Sequence, residues 1–194
     1  MSEQKEYTFE LQKLFVEFLA QDKDLFARIN GILDPEYFDR ELRKGVEFIK
    51  EHAVGYSALP TREQILATTG LKLQELKDVD DRHKKWFIDE FEVFCRHKAL
   101  EKAIIENGEL GGEGYFRMPM GKNWAKMIES PIADFQNIGG PYGGSTTAAE
   151  FLYKFVDKKT AWAHLDIAGM CWSKGGNATT PKGAVGFGVK TLFN

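Results

Sequence analysis

Apolar residues recur every three or four positions through the first hundred residues, which is the spacing of amphipathic helices. The pattern predicts helices over residues 8–20, 23–30, 35–53, 61–70 and 80–106. Gly31 and Gly70 follow two of these segments, as helix-terminating glycines do. Thr61 and Gln64 have the spacing of a capping box. No strand pattern interrupts these segments, so the first part of the chain is predicted to be all-α.

The pattern changes after Asn107, because 15 of the 19 glycines lie in residues 108–194. Short helices are predicted over residues 122–130 and 146–156. The nearly continuous apolar run over residues 161–168 predicts a strand buried on both faces, and a second strand is predicted near residues 187–191. A buried strand needs neighbours on both sides. This part is therefore predicted to belong to a sheet whose other strands lie outside the chain.

These patterns predict an α-helical N-terminal bundle joined to an incomplete α/β fragment. We place the helical domain at residues 1–107, a glycine-rich linker at 108–114 and the α/β fragment at 115–194. The formal charge changes at the same place, from −5 in residues 1–107 to +2 in residues 108–194, which sum to the −3 of the whole chain.

Composition excludes several classes of protein. The chain of 194 residues is 43% apolar and 28% charged, which is typical of a globular protein. Its pI near 5.9 gives no basic field for nucleic acid or an anionic membrane. No apolar stretch approaches the ~18 residues of a membrane span, and the first residues do not resemble a signal peptide. Two cysteines, Cys95 and Cys171, favour a reducing compartment, so a cytoplasmic location is expected.

The helical part carries little recognisable chemistry. It has no phosphate-binding loop, and His52, His83 and His97 lack metal-ligand spacing, so we interpret them as surface or satisfied core histidines. The basic run over residues 82–85 is interpreted as a solvated helix face in preference to a nucleic-acid contact. The aromatic stripe of the last helix predicts core, with a self-association face as the alternative; its members are Trp86, Phe87, Phe91 and Phe94.

Residues 8–107 resemble the N-terminal domain of phage DnaB-like replicative helicases. The resemblance rests on Asp34-Pro35-Glu36-Tyr37-Phe38, on residues 48–52 and on the long closing helix around residues 92–96. It implies a helical collar that assembles into a homo-oligomer, with primase or helicase subunits as partners. The ATPase motor that follows this domain in the family is not found in this sequence.

Residues 113–194 are similar to the C-terminal end of the leucyl (cytosol) aminopeptidases. The motifs occur in one order: Arg117-Met118-Pro119-Met120, then residues 144–152, 162–169 and 182–189. The resemblance implies a family activity in which two divalent metals, manganese or zinc, promote release of N-terminal amino acids from peptides. This chain departs from the family pattern at Pro141-Tyr142.

The same resemblance places the family's metal ligands and catalytic groups upstream of the matched stretch, and its Asp-Ala-Glu-Gly sequence is absent here. We therefore predict no catalytic residue, no metal ligand and no bound cofactor. By resemblance, Ala168 and Cys171 match positions that line the pocket for the first side chain of the substrate. Asp134 and Asp166 are the local candidates for replacement ligands, and Asp166 is interpreted as structural, with a hydrogen bond to His164.

Three functions are weighed. The first is a chimeric or truncated chain with an aminopeptidase-like tail and no peptidase activity of its own. The second is a helicase-collar or primase-docking interaction module. The third, and least favoured, is an aminopeptidase that takes its missing ligands from another chain. Cys171 is not favoured as a nucleophile, because nothing in the sequence places an activating base beside it.

Overall fold

A computed structural model describes residues 7–157 and 159–193. Within these residues the chain forms eight α-helices and one two-stranded antiparallel hairpin. The elements are α1 (Phe9–Gln21), α2 (Lys23–Ile29), α3 (Arg40–Tyr56), α4 (Arg62–Thr69), α5 (Asp81–Gly111), α6 (Lys122–Ala125), α7 (Gly144–Tyr153), β1 (Trp172–Ser173), β2 (Gly183–Ala184) and α8 (Val189–Phe193). This confirms a helical bundle joined to a small, incomplete α/β piece.

Residues Tyr7–Ala99 form one of two compact units, and they contain a single hydrophobic core. Phe87, Phe91 and Phe94 of α5 are completely buried in it, and Phe15 of α1 packs against all three rings. The prediction that this stripe is core is confirmed for Phe87, Phe91 and Phe94, whereas Trp86 is 37% exposed. None of the helices within the described residues is long and apolar enough to cross a bilayer.

The helix boundaries of this unit follow from capping. The N-cap side chains that accept a helix N–H are Thr8, Asp22, Asp39 and Thr61. The predicted capping box is confirmed, with Gln64 N–H donating to Thr61 Oγ1 at 3.2 Å and Thr61 N–H donating to Gln64 Oε1 at 2.7 Å. Gly70 ends α4 with φ of 76°, a left-handed conformation that glycine adopts without strain.

The predicted helix over residues 35–53 is wrong at its start. Pro35–Tyr37 form a 3₁₀ turn, and α3 begins only at Arg40. Between them Phe38 is extended and buried, with its ring 5.3 Å from that of Phe94. The chain thus leaves the helical conformation to place this ring in the core, and Asp39 then caps a new helix.

Helix α5 continues to Gly111, so residues 108–111 of the predicted linker are helical. The glycines have two other roles. Gly112, with φ of 72°, ends the helix in a Schellman motif, in which Glu113 N–H donates to Gly108 O at 2.7 Å and Gly112 N–H donates to Glu109 O at 3.1 Å. A Cβ on Gly108 would lie 2.4 Å from the Tyr115 ring, so this glycine allows a close approach.

The second compact unit contains the described residues from Leu100 onward. The predicted helices at 122–130 and 146–156 are present in shorter form, as α6 with a 3₁₀ turn over Lys126–Ile128 and as α7. The apolar run 161–168 is not a paired strand within the described chain, because no neighbouring strand is available to it. The strand predicted near residues 187–191 is also wrong, since α8 occupies that stretch.

A buried carboxylate explains the helix at the C-terminal end. Glu113 Oε2 accepts hydrogen bonds from the Thr191 amide at 3.1 Å and from the Thr191 hydroxyl at 2.7 Å. The Thr191 donors, assisted by the Gly188 amide, lower the pKa of Glu113. An anion that accepts N–H groups in the first turn stabilises a helix, so this pairing across 78 positions of sequence favours helix over strand.

Candidate functional site

The two residues predicted to line a pocket, Ala168 and Cys171, lie in one tight turn. The amides of Met170 and Cys171 both donate to Ile167 O at 2.9 Å, which closes the turn. The Cys171 thiol lies 3.7 Å from Ala168 O, as a weak donor to it. The turn therefore brings the predicted pair together and leaves Ala168 exposed and Cys171 half-buried.

The hairpin that follows is hydrogen-bonded to the last residue of this turn, Cys171. Trp172 pairs with Ala184 and Ser173 with Gly183, and Val185 N–H donates to Cys171 O at 3.0 Å. Trp172 remains 63% exposed next to the turn. The surface around Ala168 and Cys171 is thus small, largely apolar and open, as one wall of a pocket would be without the opposite wall.

The extended segment 161–167 enters the turn along helix α7. The Trp162 ring lies 5.4 Å from that of Tyr153, and the Ser145 side chain at the start of α7 lowers the pKa of the Asp166 carboxyl. On the helix, Ser145 and Tyr153 are eight residues apart, which is ~12 Å at 1.5 Å per residue. On the segment, Trp162 and Asp166 are four residues apart, which is ~13 Å in an extended chain. The two lengths agree, as expected for a segment that runs extended alongside α7.

Asp166 is an anchor for this arrangement. Its carboxylate accepts a hydrogen bond from the Ala168 amide at 3.0 Å, and the Ser145 side chain, that amide and the nearby His164 lower the pKa of Asp166. The His164 ring stacks on Trp162, with centroids 6.2 Å apart. The Ala168 amide thus donates to this carboxylate, whereas the predicted hydrogen bond from His164 is not found among the described residues.

The donor atoms do not fit the two divalent metals that the sequence resemblance implies. In the described part of the chain no three histidine, cysteine or acidic side chains come together as a metal site. Asp134 is exposed in a loop, and Asp166 is occupied by the donors described above. A binuclear centre needs several carboxylates within reach of both ions, so the described residues support no reaction step through a metal.

The histidines of the helical unit have structural surroundings. His52 Nδ1 lies 2.9 Å from Ala58 O, His83 pairs with Asp80 at 2.9 Å, and His97 is half-buried, which lowers its pKa. These contacts agree with the interpretation of surface or satisfied core histidines.

The basic run 82–85 is partly paired with acidic side chains. Arg82 contacts Asp80 at 2.6 Å, and Lys84 contacts Asp22 at 2.7 Å. These ion pairs reduce the positive potential that the run presents to solvent, which favours a solvated helix face over a nucleic-acid contact.

Two buried carboxylates, those of Glu113 and Glu150, were not expected from the sequence. Glu150 is only 3% exposed and accepts the Gly121 amide at 2.6 Å, which joins α7 to the start of α6. The sequence signal for Glu150 is a charged residue on the buried side of helix α7, because a buried charge needs a hydrogen-bonding partner. Glu113 gave no such signal, since its partner is distant in sequence.

Comparison with known proteins identifies the family. The profile of the cytosol aminopeptidase family, catalytic domain, matches residues 89–193. That is more than half of the described chain, and the match contains the extended segment, the turn and the hairpin. The chain belongs to the cytosol aminopeptidase family.

Individual relatives agree with this assignment. A probable cytosol aminopeptidase from Synechococcus sp. (strain CC9902) is 48% identical over 101 residues, which are 52% of this chain and 21% of the relative. One from Gluconobacter oxydans (strain 621H) is 50% identical over 100 residues, or 52% and 20% of the two chains. One from Geotalea uraniireducens (strain Rf4) is 46% identical over 95 residues, or 49% and 19%. No solved structure matches the chain.

The chain spans about a fifth of the length of these curated relatives. The family match begins at residue 89, within helix α5, whereas the motifs of the sequence resemblance cover residues 113–194. The matched region therefore includes the distal part of α5 and the predicted linker. The helicase-like interpretation of residues 8–107 stays a prediction.

Proposed function

We propose that this chain has no peptidase activity of its own and that its C-terminal unit supplies part of the substrate-pocket wall of a cytosol aminopeptidase. Ala168 and Cys171 form that wall, and neither acts as an acid, a base or a metal ligand. The observation that carries the proposal is a family match over residues 89–193 in a chain whose sequence lacks the family's Asp-Ala-Glu-Gly ligands.

Hydrolysis of leucine p-nitroanilide tests this proposal. The full chain is assayed with Mn²⁺ or Zn²⁺, beside the Synechococcus relative as a positive control, each with and without EDTA. We expect the relative to turn over substrate in a chelator-sensitive manner and this chain to give the rate of the buffer. Chelator-sensitive turnover by the purified chain, lost in a Cys171→Trp variant that fills the pocket wall, would contradict the proposal.

A second proposed function concerns the helical unit, which we infer to be a self-association module like a helicase collar. The support is its separate core over Tyr7–Ala99 and the apolar side chains that it leaves exposed, among them Val54 and Tyr56 on the last turn of α3. Primase or helicase subunits are the partners that the sequence resemblance suggests. A cytoplasmic location belongs to the same proposal, supported by two free cysteines.

Size-exclusion chromatography with light scattering tests self-association. The full chain is expected to give a discrete oligomer, and Val54→Glu is expected to shift it toward monomer, because a charge at an apolar interface is costly to bury. Val189→Glu is the matched control, because Val189 in the other unit is 63% exposed against 73% for Val54. A strict monomer at high protein concentration, or equal effects of both variants, would contradict this function.

A further inference from the structure

The C-terminal end of helix α3 is an exposed surface of the helical unit, and it lies outside the residues of the family match. Val54 and Tyr56 are 73% and 75% exposed there. The helix ends at Tyr56, and Ser57 leaves it in a left-handed conformation with φ of 52°. The C=O groups of residues 53–56 accept no backbone N–H from described residues beyond the helix. This end therefore presents free hydrogen-bond acceptors beside apolar side chains.

Three rings follow one another along this end of α3. The His52 ring lies 4.6 Å from that of Tyr56 and 5.7 Å from that of Phe48. His52 Nδ1 lies 2.9 Å from Ala58 O, and because a carbonyl oxygen can only accept, this nitrogen carries a proton. The hydrogen bond and the two ring contacts hold His52 in place, so it supports the exposed ring of Tyr56 as a flat surface.

Glu47 and Glu51 add negative charge to the same end of the helix. They are four residues apart, which makes them neighbours on the helix surface, and both are exposed. No ion pair among the described residues includes either carboxylate. The last turn of α3 contains no basic residue, and Lys50 donates to Leu33 O at 2.7 Å. The two carboxylates are thus available to a cation from outside.

These features cost stability as long as the helix end stands alone. Like charges at a spacing of four repel each other, as Glu47 and Glu51 do. The helix dipole favours basic groups near the C-terminal end of a helix, and acidic groups there are unfavourable. A bound cation would remove both costs. Local rules are broken in this way mainly at functional sites, which points to a cationic ligand.

An arginine side chain matches this surface better than a lysine side chain does. The guanidinium is planar and stacks on an aromatic face, which the ring of Tyr56 offers. Its five N–H donors can reach a carboxylate and carbonyl oxygens together, whereas an ammonium group is a compact, strongly hydrated point charge. Residues 1–107 carry 17 Lys+Arg against 22 Asp+Glu, a net charge of −5, which attracts a basic partner from a distance.

The spacing of the two contact points suits an extended peptide. Glu51 and Tyr56 are five residues apart on α3, which is ~7.5 Å along the helix axis. Alternate residues of an extended chain are ~7 Å apart and share one face. Arginines at alternate positions of an extended segment can therefore reach Glu51 and Tyr56 together.

We propose that the C-terminal end of α3 is a docking site for an extended basic segment of another protein, with arginines at alternate positions. One arginine stacks on Tyr56, and the other pairs with Glu51. The proposal goes beyond the self-association inferred above for the helical unit, because the occupant is a different chain and is recognised by its charge.

NMR titration of the isotope-labelled full chain tests the proposal. The probe is a blocked peptide in which two arginines alternate with two leucines, and its comparator has lysines in place of the arginines. We expect saturable shifts of the amides of residues 47–58, with the arginine peptide at least about threefold tighter. Tyr56→Ala should weaken its binding by about threefold, and Glu51→Gln by about two- to fivefold. Tyr142→Ala is the matched control, because Tyr142 in the other unit is 79% exposed, and it should leave the affinity unchanged.

Val54→Glu separates this proposal from self-association. The substitution is expected to shift an oligomer toward monomer in light scattering, and it adds a negative charge beside the docking site. The monomeric variant should therefore bind the arginine peptide at least as tightly as the unchanged chain does. Loss of peptide binding in this variant would contradict the proposal, whereas an unchanged oligomeric state would contradict only the self-association.

Four further results would overturn the proposal. One is the absence of saturable shifts in residues 47–58 up to about 5 mM peptide. Another is equal affinity for the arginine and lysine peptides, which would reduce the binding to general charge attraction. The third is an equal effect of Tyr56→Ala and Tyr142→Ala. The last is a set of shifts in residues 47–58 that follows the concentration of the chain and not of the peptide, which would make a second copy the occupant.

Discussion

Phe15 lies at the centre of the helical core, and its removal tests the packing most directly. The side chain is 0% exposed. Its ring centroid is 5.8 Å from that of Phe87 and 5.6 Å from those of Phe91 and Phe94. The Phe15→Ala variant would leave a ring-sized void between α1 and α5, with these three rings on one side of it.

The expected loss is large compared with the stability of a domain of this size. Replacing a buried phenylalanine by alanine costs about 3–5 kcal/mol in free energy of unfolding, as the sum of lost transfer energy and a cavity. Typical domains have about 5–15 kcal/mol in total. With a urea m-value of about 1.5 kcal/mol per molar, the unfolding midpoint of this unit should fall by about 2–3 M.

Urea unfolding followed by hydrogen exchange and mass spectrometry separates the two units, because peptides from residues 7–99 report on the helical core alone. Phe116→Ala is the matched control, since Phe116 is 81% exposed and its loss should change stability by no more than about 0.5 kcal/mol. A loss below about 1 kcal/mol for Phe15→Ala, or equal effects of the two variants, would refute a core organised around this ring.

Three further outcomes are expected. Gly108→Ala should destabilise the fold, because its Cβ would lie 2.5 Å from a backbone oxygen. Gly55 has open space around it, so Gly55→Ala should raise the free energy of unfolding, measured by thermal unfolding, by up to about 1 kcal/mol. Burial raises the pKa of Cys95 to about 12, so a thiol reagent at pH 8 should label Cys171 alone, and labelling of both cysteines in the native chain would contradict this. A serine side chain, the Ala168 amide and the charge of a nearby histidine lower the pKa of Asp166 from its ordinary 3.8. Its stabilising contribution is therefore present above that value and lost as the pH falls through the lowered one, so Asp166→Asn should flatten the acid side of a plot of melting temperature against pH.

The helices of the first unit were predictable because their determinants are local. The apolar period, the capping box at Thr61 and the terminating Gly70 each act within a few residues, and each is confirmed. The prediction failed where a distant contact decided the conformation. Phe38 is extended because its ring is buried against α5, and no spacing near residue 38 reveals that.

The glycine-rich stretch shows a different kind of failure. Composition alone cannot distinguish a flexible linker from a helix end that needs glycine for its geometry. Gly108 is required by the ring of Tyr115, and Gly112 by the positive φ of the Schellman motif. Of the candidate site, the resemblance names Ala168 and Cys171 as pocket-lining positions, which stays a prediction, whereas the weak contact of the Cys171 thiol with Ala168 O and the effect of Ser145 on the pKa of Asp166 depend on the folded chain and have no local sequence signal.

Helix α5 shows why the two parts of the chain differ in what they can do. The compact units divide between Ala99 and Leu100, and the family match begins at residue 89, so both boundaries fall inside one continuous helix. A helix satisfies its backbone through bonds four residues apart and can cross such a boundary without losing any of them. A strand has no such local alternative, because its hydrogen bonds come from other strands. The helical unit can therefore complete its core within residues 7–99, whereas residues 161–166 make no backbone-to-backbone hydrogen bond within the part of the chain that the structure describes.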